Sequence, residues 1–194
     1  MHSDALTPHI DGIVIGGSAG AIEALDSLLP TLPPGFPAAI FIVLHLPRDR
    51  PSMLTEIFAA KCELPIEEAE DKAPVRPGTI YFAPPDYHLL IEQGRYLALS
   101  VDDPVNLSRP SADVLFESAA DVYGPALMGL ILSGASADGA LGLAAVRAAG
   151  GLTVVQEPGS AAAPLMITSA LERCAVDYVL PLEEIAALLR RIEG

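Results

Sequence analysis

Ile13-Val14-Ile15-Gly16-Gly17-Ser18-Ala19-Gly20-Ala21 is the stretch that decides how this chain folds. A short β-branched run breaks at two glycines, presents a serine and passes straight into a helical pattern, which predicts a buried strand and a tight strand-to-helix turn carrying Ser18. A hydroxyl held on such a turn stands clear of the backbone. It also lies beside the unpaired N–H groups that open a helix, that of Ala19 among them, and these groups stabilise a developing oxyanion. Ser18 is therefore a candidate nucleophile, and its plain alternative is a helix N-cap. Two other glycine-rich readings fail. A dinucleotide fingerprint would need glycine where Ser18 stands, and a P-loop would need a following Gly-Lys-Ser/Thr.

Working outward, apolar runs and helical periodicities alternate along the whole chain. Strands are expected at 12–15, 38–44, 79–83, 87–92, 95–101, 127–132, 152–155 and 178–180, and helices at 19–29, 52–61, after Ser111, at 140–149, around 167–173 and from 182 onward. The first helix would place Ile22, Leu25, Leu28 and Leu29 on one face, and the second Leu54, Ile57, Phe58 and Lys61. Gln93-Gly94 reads as the turn of a hairpin, Ser111 as a helix cap, and residues 1–11 as a loose lead-in. This alternation predicts an α/β fold. Its doubly wound, mostly parallel sheet carries helices on both faces and an accessory antiparallel hairpin, in a single domain over residues 1–194.

The bulk properties agree and exclude several functions. A hydrophobic fraction of 51% in 194 residues suits a sheet covered on both faces. A net charge of −14 argues against nucleic acid and anionic membrane surfaces, which need clustered Lys and Arg. The two cysteines, Cys62 and Cys174, lack metal-ligand spacing and read as packed residues. No apolar run is long enough for a bilayer and no secretion signal opens the chain, so a cytoplasmic setting without membrane insertion is expected. There is no H-E-x-x-H motif and no Cys–His cluster, so neither a metal nor a cofactor is expected. His2, His9 and His88 are weaker candidates than His45.

In doubly wound sheets the working groups gather where strands end at their carboxyl edge. Ser18, His45 and Asp138 each follow the carboxyl end of an apolar run, so all three should face one crevice. There a histidine would take the serine proton, and an aspartate would hold the imidazole tautomer and balance its charge, which is the chemistry of acyl transfer. The alternatives are a hydrogen-bonded structural role for His45 and a helix N-cap for Asp138. The order Ser, His, Asp differs from that of α/β-hydrolases, which argues against that fold and leaves the chemistry intact.

Several segments together are similar to the CheB-type protein-glutamate methylesterases of bacterial chemotaxis. They are Ile15-Gly16-Gly17-Ser18-Ala19-Gly20, Val43-Leu44-His45-Leu46-Pro47, Glu68-Ala69-Glu70-Asp71, Pro77-Gly78 with Tyr81-Phe82-Ala83-Pro84, Arg109-Pro110-Ser111-Ala112-Asp113-Val114-Leu115-Phe116 and Leu132-Ser133-Gly134-Ala135-Ser136-Ala137-Asp138-Gly139-Ala140. The resemblance runs from about Asp11 to the end. It implies a doubly wound fold, hydrolysis of γ-glutamyl methyl esters on the helical region of a chemoreceptor, and in many members deamidation of receptor glutamines. It places the nucleophile at Ser18, the histidine at His45, the aspartate at Asp138 and a backbone contribution to the oxyanion hole at Ala135.

This chain departs from the family's pattern at two places. Ala19 stands where a threonine is common, and Met166-Ile167-Thr168-Ser169 stands where Met-Pro-Arg and small residues are usual. Family members often carry a receiver domain ahead of the esterase, whereas only about ten residues precede the first strand here. A free-standing esterase served by a separate regulatory protein and an excised domain are both open. A docking module of the same fold with little hydrolysis and a small-ester serine hydrolase are the alternative functions. An acidic protein meeting an acidic receptor would need basic residues grouped at the site rim, and Arg48, Arg50, Arg76 and Arg109 are the candidates.

Overall fold

Strand β1 (Gly12–Gly17) is the middle strand of a seven-stranded sheet, flanked on one side by β2 (Ala39–Leu44) and on the other by β7 (Leu127–Ile131). The structure is a computed structural model and describes residues 9–46 and 51–192. Outward from β2 lie β4 (Ile80–Phe82) and β3 (Ile66–Glu68), and outward from β7 lie β8 (Leu152–Gln156) and β9 (Tyr178–Leu180). Every pairing in this sheet is parallel. Strands β5 (His88–Glu92) and β6 (Tyr96–Ser100) form the separate antiparallel hairpin.

The central strands are apolar throughout because both of their faces are covered. Alternate residues serve the two layers: Ile13, Ile15, Ile40, Ile42, Met128 and Leu130 point to one core, and Val14, Phe41, Val43, Leu127 and Ile131 to the other. The first core is closed by α1 (Ala21–Leu28), α2 (Leu54–Ala59) and α6 (Leu182–Leu189) through residues such as Leu25, Leu28, Phe58, Ile185 and Leu189. The second is closed by α3 (Ala112–Tyr123), α4 (Ala140–Ala148), α5 (Leu165–Arg173) and the hairpin, through Leu115, Phe116, Leu143, Val146, Ile167 and Leu89. Each such side chain contributes roughly 1.5–3 kcal/mol by leaving water.

The doubly wound fold predicted from the sequence is thus the observed one, and its departures are local. Ile22 and Ile57, expected on core faces, are 38% and 42% exposed. In α1 the buried stripe is Ala21, Ala24, Leu25 and Leu28, which turns Ile22 outward. The helix starts at Ala21 because Gly20 takes a left-handed φ of 81°, where a Cβ would come within 2.8 Å of Ser133 Oγ. Strand β3 was not foreseen: Ile66-Glu67-Glu68 carries one apolar residue and borrows its pairing from β4. The hairpin loop holds three residues, with positive φ at Gly94 and Arg95, since Glu92 pairs with Tyr96.

The lead-in is also corrected at its end. Ile10 is buried in the first core, and the Asp11 N–H donates to the Ala126 carbonyl at 2.9 Å. Residues 1–8, which include His2, lie outside the described residues, as do Pro47, Arg48 and Arg50.

Candidate functional site

Parallel register brings three strand ends to one level. Gly17 is paired with Leu44 across β1 and β2, and Gly16 with Ile131 across β1 and β7. The residues that follow therefore emerge side by side at the carboxyl edge. Chain order reverses there, since β1 is flanked by the second and the seventh strand, and such a switch point opens a crevice. The Ser18 N–H donates to the Ser133 carbonyl at 2.9 Å, and the His45 N–H to the Gly17 carbonyl at 3.3 Å. The loops after all three strands are thereby stitched together.

His45 and Asp138, 93 positions apart in the chain, are joined by a hydrogen bond from Nε2 to Oδ2 of 2.7 Å. The imidazole is mostly covered, at 15% exposure, and the carboxylate wholly, at 0%. A buried carboxylate needs donors, and Asp138 has five. Oδ2 accepts from His45 Nε2 and from the Ala112 N–H at 2.6 Å. Oδ1 accepts from Ser111 Oγ at 2.7 Å, Asn106 Nδ2 at 3.0 Å and the Asp113 N–H at 3.1 Å. Burial alone would raise the Asp138 pKa. The hydrogen bonds from His45, Ser111, Ala112 and Asn106 outweigh it and hold the carboxyl below its ordinary value, so the group is charged.

These partners settle the N-cap alternative in an unexpected way. Asp138 does not cap the helix that follows it, where Gly139 is the N-cap with no side-chain bond. It caps α3 from across the fold, binding the N–H groups of Ala112 and Asp113 at the positive end of that helix. Ser111, expected to cap α3 itself, makes no cap bond and turns its hydroxyl to Asp138 instead.

Ser18 and His45 line one open pocket of ≈ 350 Å³ together with Ala19, Gly20, Ile22, Glu23, Leu44 and Leu46. Among the described residues no hydrogen bond joins Ser18 Oγ to the imidazole, and catalytic hydrogen bonds are commonly loose before substrate arrives. Because Nε2 is engaged by Asp138, the neutral ring carries its proton there and its lone pair on Nδ1. Ala19 and Ala135 are both exposed, and among the described residues neither N–H is a hydrogen-bond donor. Gly134, next to Ala135, lies so close to Ser18 that a Cβ there would sit 3.0 Å from the serine Cβ.

The structure gives a place at the site to Asp113, which the sequence reading did not single out, and to His88, which it ranked below His45. Asp113 is buried, its Oδ1 accepting from the Gly142 N–H at 2.7 Å and its Oδ2 from Asn106 Nδ2 at 2.8 Å. Burial, helped by the nearby Asp138 charge, pushes its pKa up despite those bonds. His88 is buried beneath the start of α3. Its Nδ1 accepts from the Ser111 N–H at 3.2 Å, and its Nε2 donates to the Asp103 carbonyl at 3.0 Å. The segment Arg109-Pro110-Ser111-Ala112-Asp113 was the available signal, since it supplies three of the donors to Asp138.

Of the arginines expected at the rim, the two among the described residues, Arg76 and Arg109, are otherwise engaged. Arg109 Nε and Nη2 donate to Asp86 Oδ1 at 3.1 and 2.8 Å, while Nη1 donates to the carbonyls of Val101 and Asp102 at 2.8 and 3.0 Å. Arg76 is paired with Glu67. Cys62 and Cys174 are free, half-buried thiols whose pKa values burial pushes up, which makes them poor nucleophiles. Among the described residues no helix is long and apolar enough to cross a membrane.

Fold and site together define a doubly wound α/β domain that presents a serine and a histidine–aspartate pair at one carboxyl edge. Residues 13–189 match the family model for CheB methylesterase, and the chain belongs to that family. A Leptospira interrogans relative is 48% identical over 183 residues, covering 94% of this chain and 95% of the relative, and its name provisionally assigns it as a protein-glutamate methylesterase/protein-glutamine glutaminase. In Anaeromyxobacter dehalogenans, protein-glutamate methylesterase/protein-glutamine glutaminase 2 is 38% identical, covering 97% of this chain and 55% of that protein. The crystal structure of the Thermotoga maritima CheB methylesterase catalytic domain matches with a TM-score of 0.91 at 33% identity, over 95% of this chain and 99% of that one.

Proposed function

We propose that this chain is a serine esterase that hydrolyses glutamate methyl esters on the helical region of a chemoreceptor, with deamidation of glutamine as a second outcome of the same acyl chemistry. The observation that carries this reading is the 2.7 Å bond from His45 Nε2 to Asp138 at the pocket that Ser18 lines. Family membership supplies the substrate class. Residues 1–194 are read as one methylesterase catalytic domain, working in the cytoplasm.

In this mechanism Ser18 Oγ attacks the ester carbonyl carbon as its proton passes to His45 Nδ1. The carbonyl oxygen becomes an oxyanion and is received by the N–H groups of Ala19 and Ala135. Asp138 balances the imidazolium that forms. Collapse of the tetrahedral intermediate breaks the bond to the methoxy oxygen, which leaves as methanol with the proton from His45. A water then gives a proton to Nδ1, attacks the acyl carbon and releases glutamate, returning the hydrogen to Ser18. Amide nitrogen in place of methoxy oxygen gives deamidation by the same steps.

Methanol release from methylated receptor membranes tests the proposal. Ser18→Ala lowers kcat by on the order of 10⁶, as for a nucleophile acting within a unit. Near-normal release by that variant would refute it.

A further inference from the structure

Asn106 stands at a place the mechanism leaves unused. Its side-chain amide gives one hydrogen to Asp138 Oδ1 at 3.0 Å and the other to Asp113 Oδ2 at 2.8 Å, so a single NH₂ group bridges two carboxyls. The other three protein donors to Asp138 besides His45 come from residues 111–113 at the start of α3. Asn106 approaches from a separate loop. It therefore ties the carboxylate to a point outside the helix end that supplies those three donors.

The loop is built to hold the amide in place. Val105 and Ser108 exchange backbone hydrogen bonds of 3.0 and 2.9 Å, closing a turn whose two central residues, Asn106 and Leu107, have φ values of 51° and 62°. Asparagine tolerates a left-handed backbone better than other residues that carry a side-chain NH₂. Position 106 thus combines the backbone the turn requires with two N–H donors aimed at the carboxyls.

We propose that Asn106 is a positioning residue: by tethering Asp138 to Asp113 it holds the Asp138 carboxylate in the orientation that meets His45 Nε2. This rests on the reading of Ser18, His45 and Asp138 as the esterase site. The opposite directions of the two acids agree with it, since Asp138 is held below the ordinary carboxyl range while Asp113 is pushed above it. The titratable groups that face Asp138 are His45 beyond β2 and Asp113 on α3, while Glu172 and Arg173 of α5 line the pocket beside Asn106 and Asp113.

The test compares Asn106→Gly, which removes the amide and keeps the left-handed backbone, with Leu107→Gly, which alters the same turn and leaves the amide. Methanol release from methylated receptor membranes is followed from pH 5 to 9 (roughly the span in which such sites titrate), with Ser18→Ala as the reference. Asn106→Gly lowers kcat about tenfold with KM within about twofold, and its acid-side limb moves to higher pH because a charged Asp138 has lost a donor. Leu107→Gly keeps the parent kcat and profile. A parent-like kcat and limb in Asn106→Gly, beside an inactive Ser18→Ala, overturns the positioning role and leaves the esterase reading standing. Equal losses in both turn variants overturn it too, because the turn rather than the amide would then matter. Turnover by Ser18→Ala overturns the site reading and this proposal with it. If circular dichroism shows Asn106→Gly unfolded, Asn106→Asp takes its place, with the same loss expected and an unchanged profile as the contrary result.

Discussion

His45 meets Asp138 through Nε2, so the ring nitrogen nearer the backbone, Nδ1, is the one not bonded to the carboxylate, and it is the nitrogen that the proposed mechanism uses. The 2.7 Å bond ties the imidazole to a carboxylate that is itself held at the start of α3. Orientation of the imidazole is thus referred to a helix rather than to a loop. Asp138→Asn keeps the shape of the side chain but presents an amide where acceptors are needed, and it removes the charge that fixes the tautomer. A fall in kcat on the order of 10⁴ is expected, with KM little changed, in methanol-release kinetics. A loss of less than tenfold would show that the pair is structural.

The same carboxylate links stability to acid. Its pKa is depressed in the fold, so its stabilising contribution is fully present above the ordinary carboxyl value and is lost as pH falls through the folded value. Asp113, its pKa raised by burial and by the Asp138 charge, works in the opposite sense, and Asp138→Asn removes the second of those causes and leaves the first. Urea titrations should place Asp138→Asn about 2 kcal/mol below the parent at pH 7. The gap should narrow on acidification below about pH 4, where the Asp138 contribution is being lost.

What could be read from the chain was whatever depends on neighbours in sequence. The apolar runs at β1, β2 and β7 and the glycines after Ile15 are local signals, and the strand-end rule then carried Ser18, His45 and Asp138 to one edge. Asn106, Ser111 and Asp113 were not legible as a unit, because their partner lies 25 or more positions away. Asp113 reads locally as a first-turn acid of α3, yet its carboxylate is buried and bonded to Gly142 at α4. Ile22 and Ile57 satisfied a helical period, but the narrow stripes that α1 and α2 bury left them outside. Nothing in the triplet 66–68 announces a strand, since the order of an edge strand comes from its neighbour.

Arg109 joins the segments around Asp86, Val101 and Asp102 through four hydrogen bonds while only 18% of its side chain is exposed. It is a brace under the loops beside the site, not a surface cation waiting for a receptor. Arg109→Ala should lower stability by about 1 kcal/mol in urea titrations, because the hydrogen bonds that tie Asp86 to the Val101 and Asp102 carbonyls through the guanidinium are lost. The salt dependence of KM on receptor membranes should stay as in the parent. A salt-dependent rise in KM with unchanged stability would restore the rim role.

Gly134, in the loop after β7, packs closely against Ser18. A Cβ added there would meet the Met166 side chain within van der Waals distance and the Ser18 Cβ at 3.0 Å. Met166 is fully buried, and its N–H donates to the Gly134 carbonyl at 3.0 Å, so it has little room to withdraw and Ser18, which lines the open pocket, is the partner that must move. Gly134→Ala should cost roughly 1–3 kcal/mol by overpacking and lower kcat as well, since relief requires Ser18 to shift. Gly159→Ala is the control, because nothing lies within 4 Å of a Cβ at that position. It should leave kcat unchanged and move stability by less than about 1 kcal/mol. Parallel urea titrations and methanol-release kinetics separate the two. A Gly134→Ala protein as active and as stable as the control would mean that the loop can retreat from Ser18, and that its packing does not govern where the hydroxyl stands.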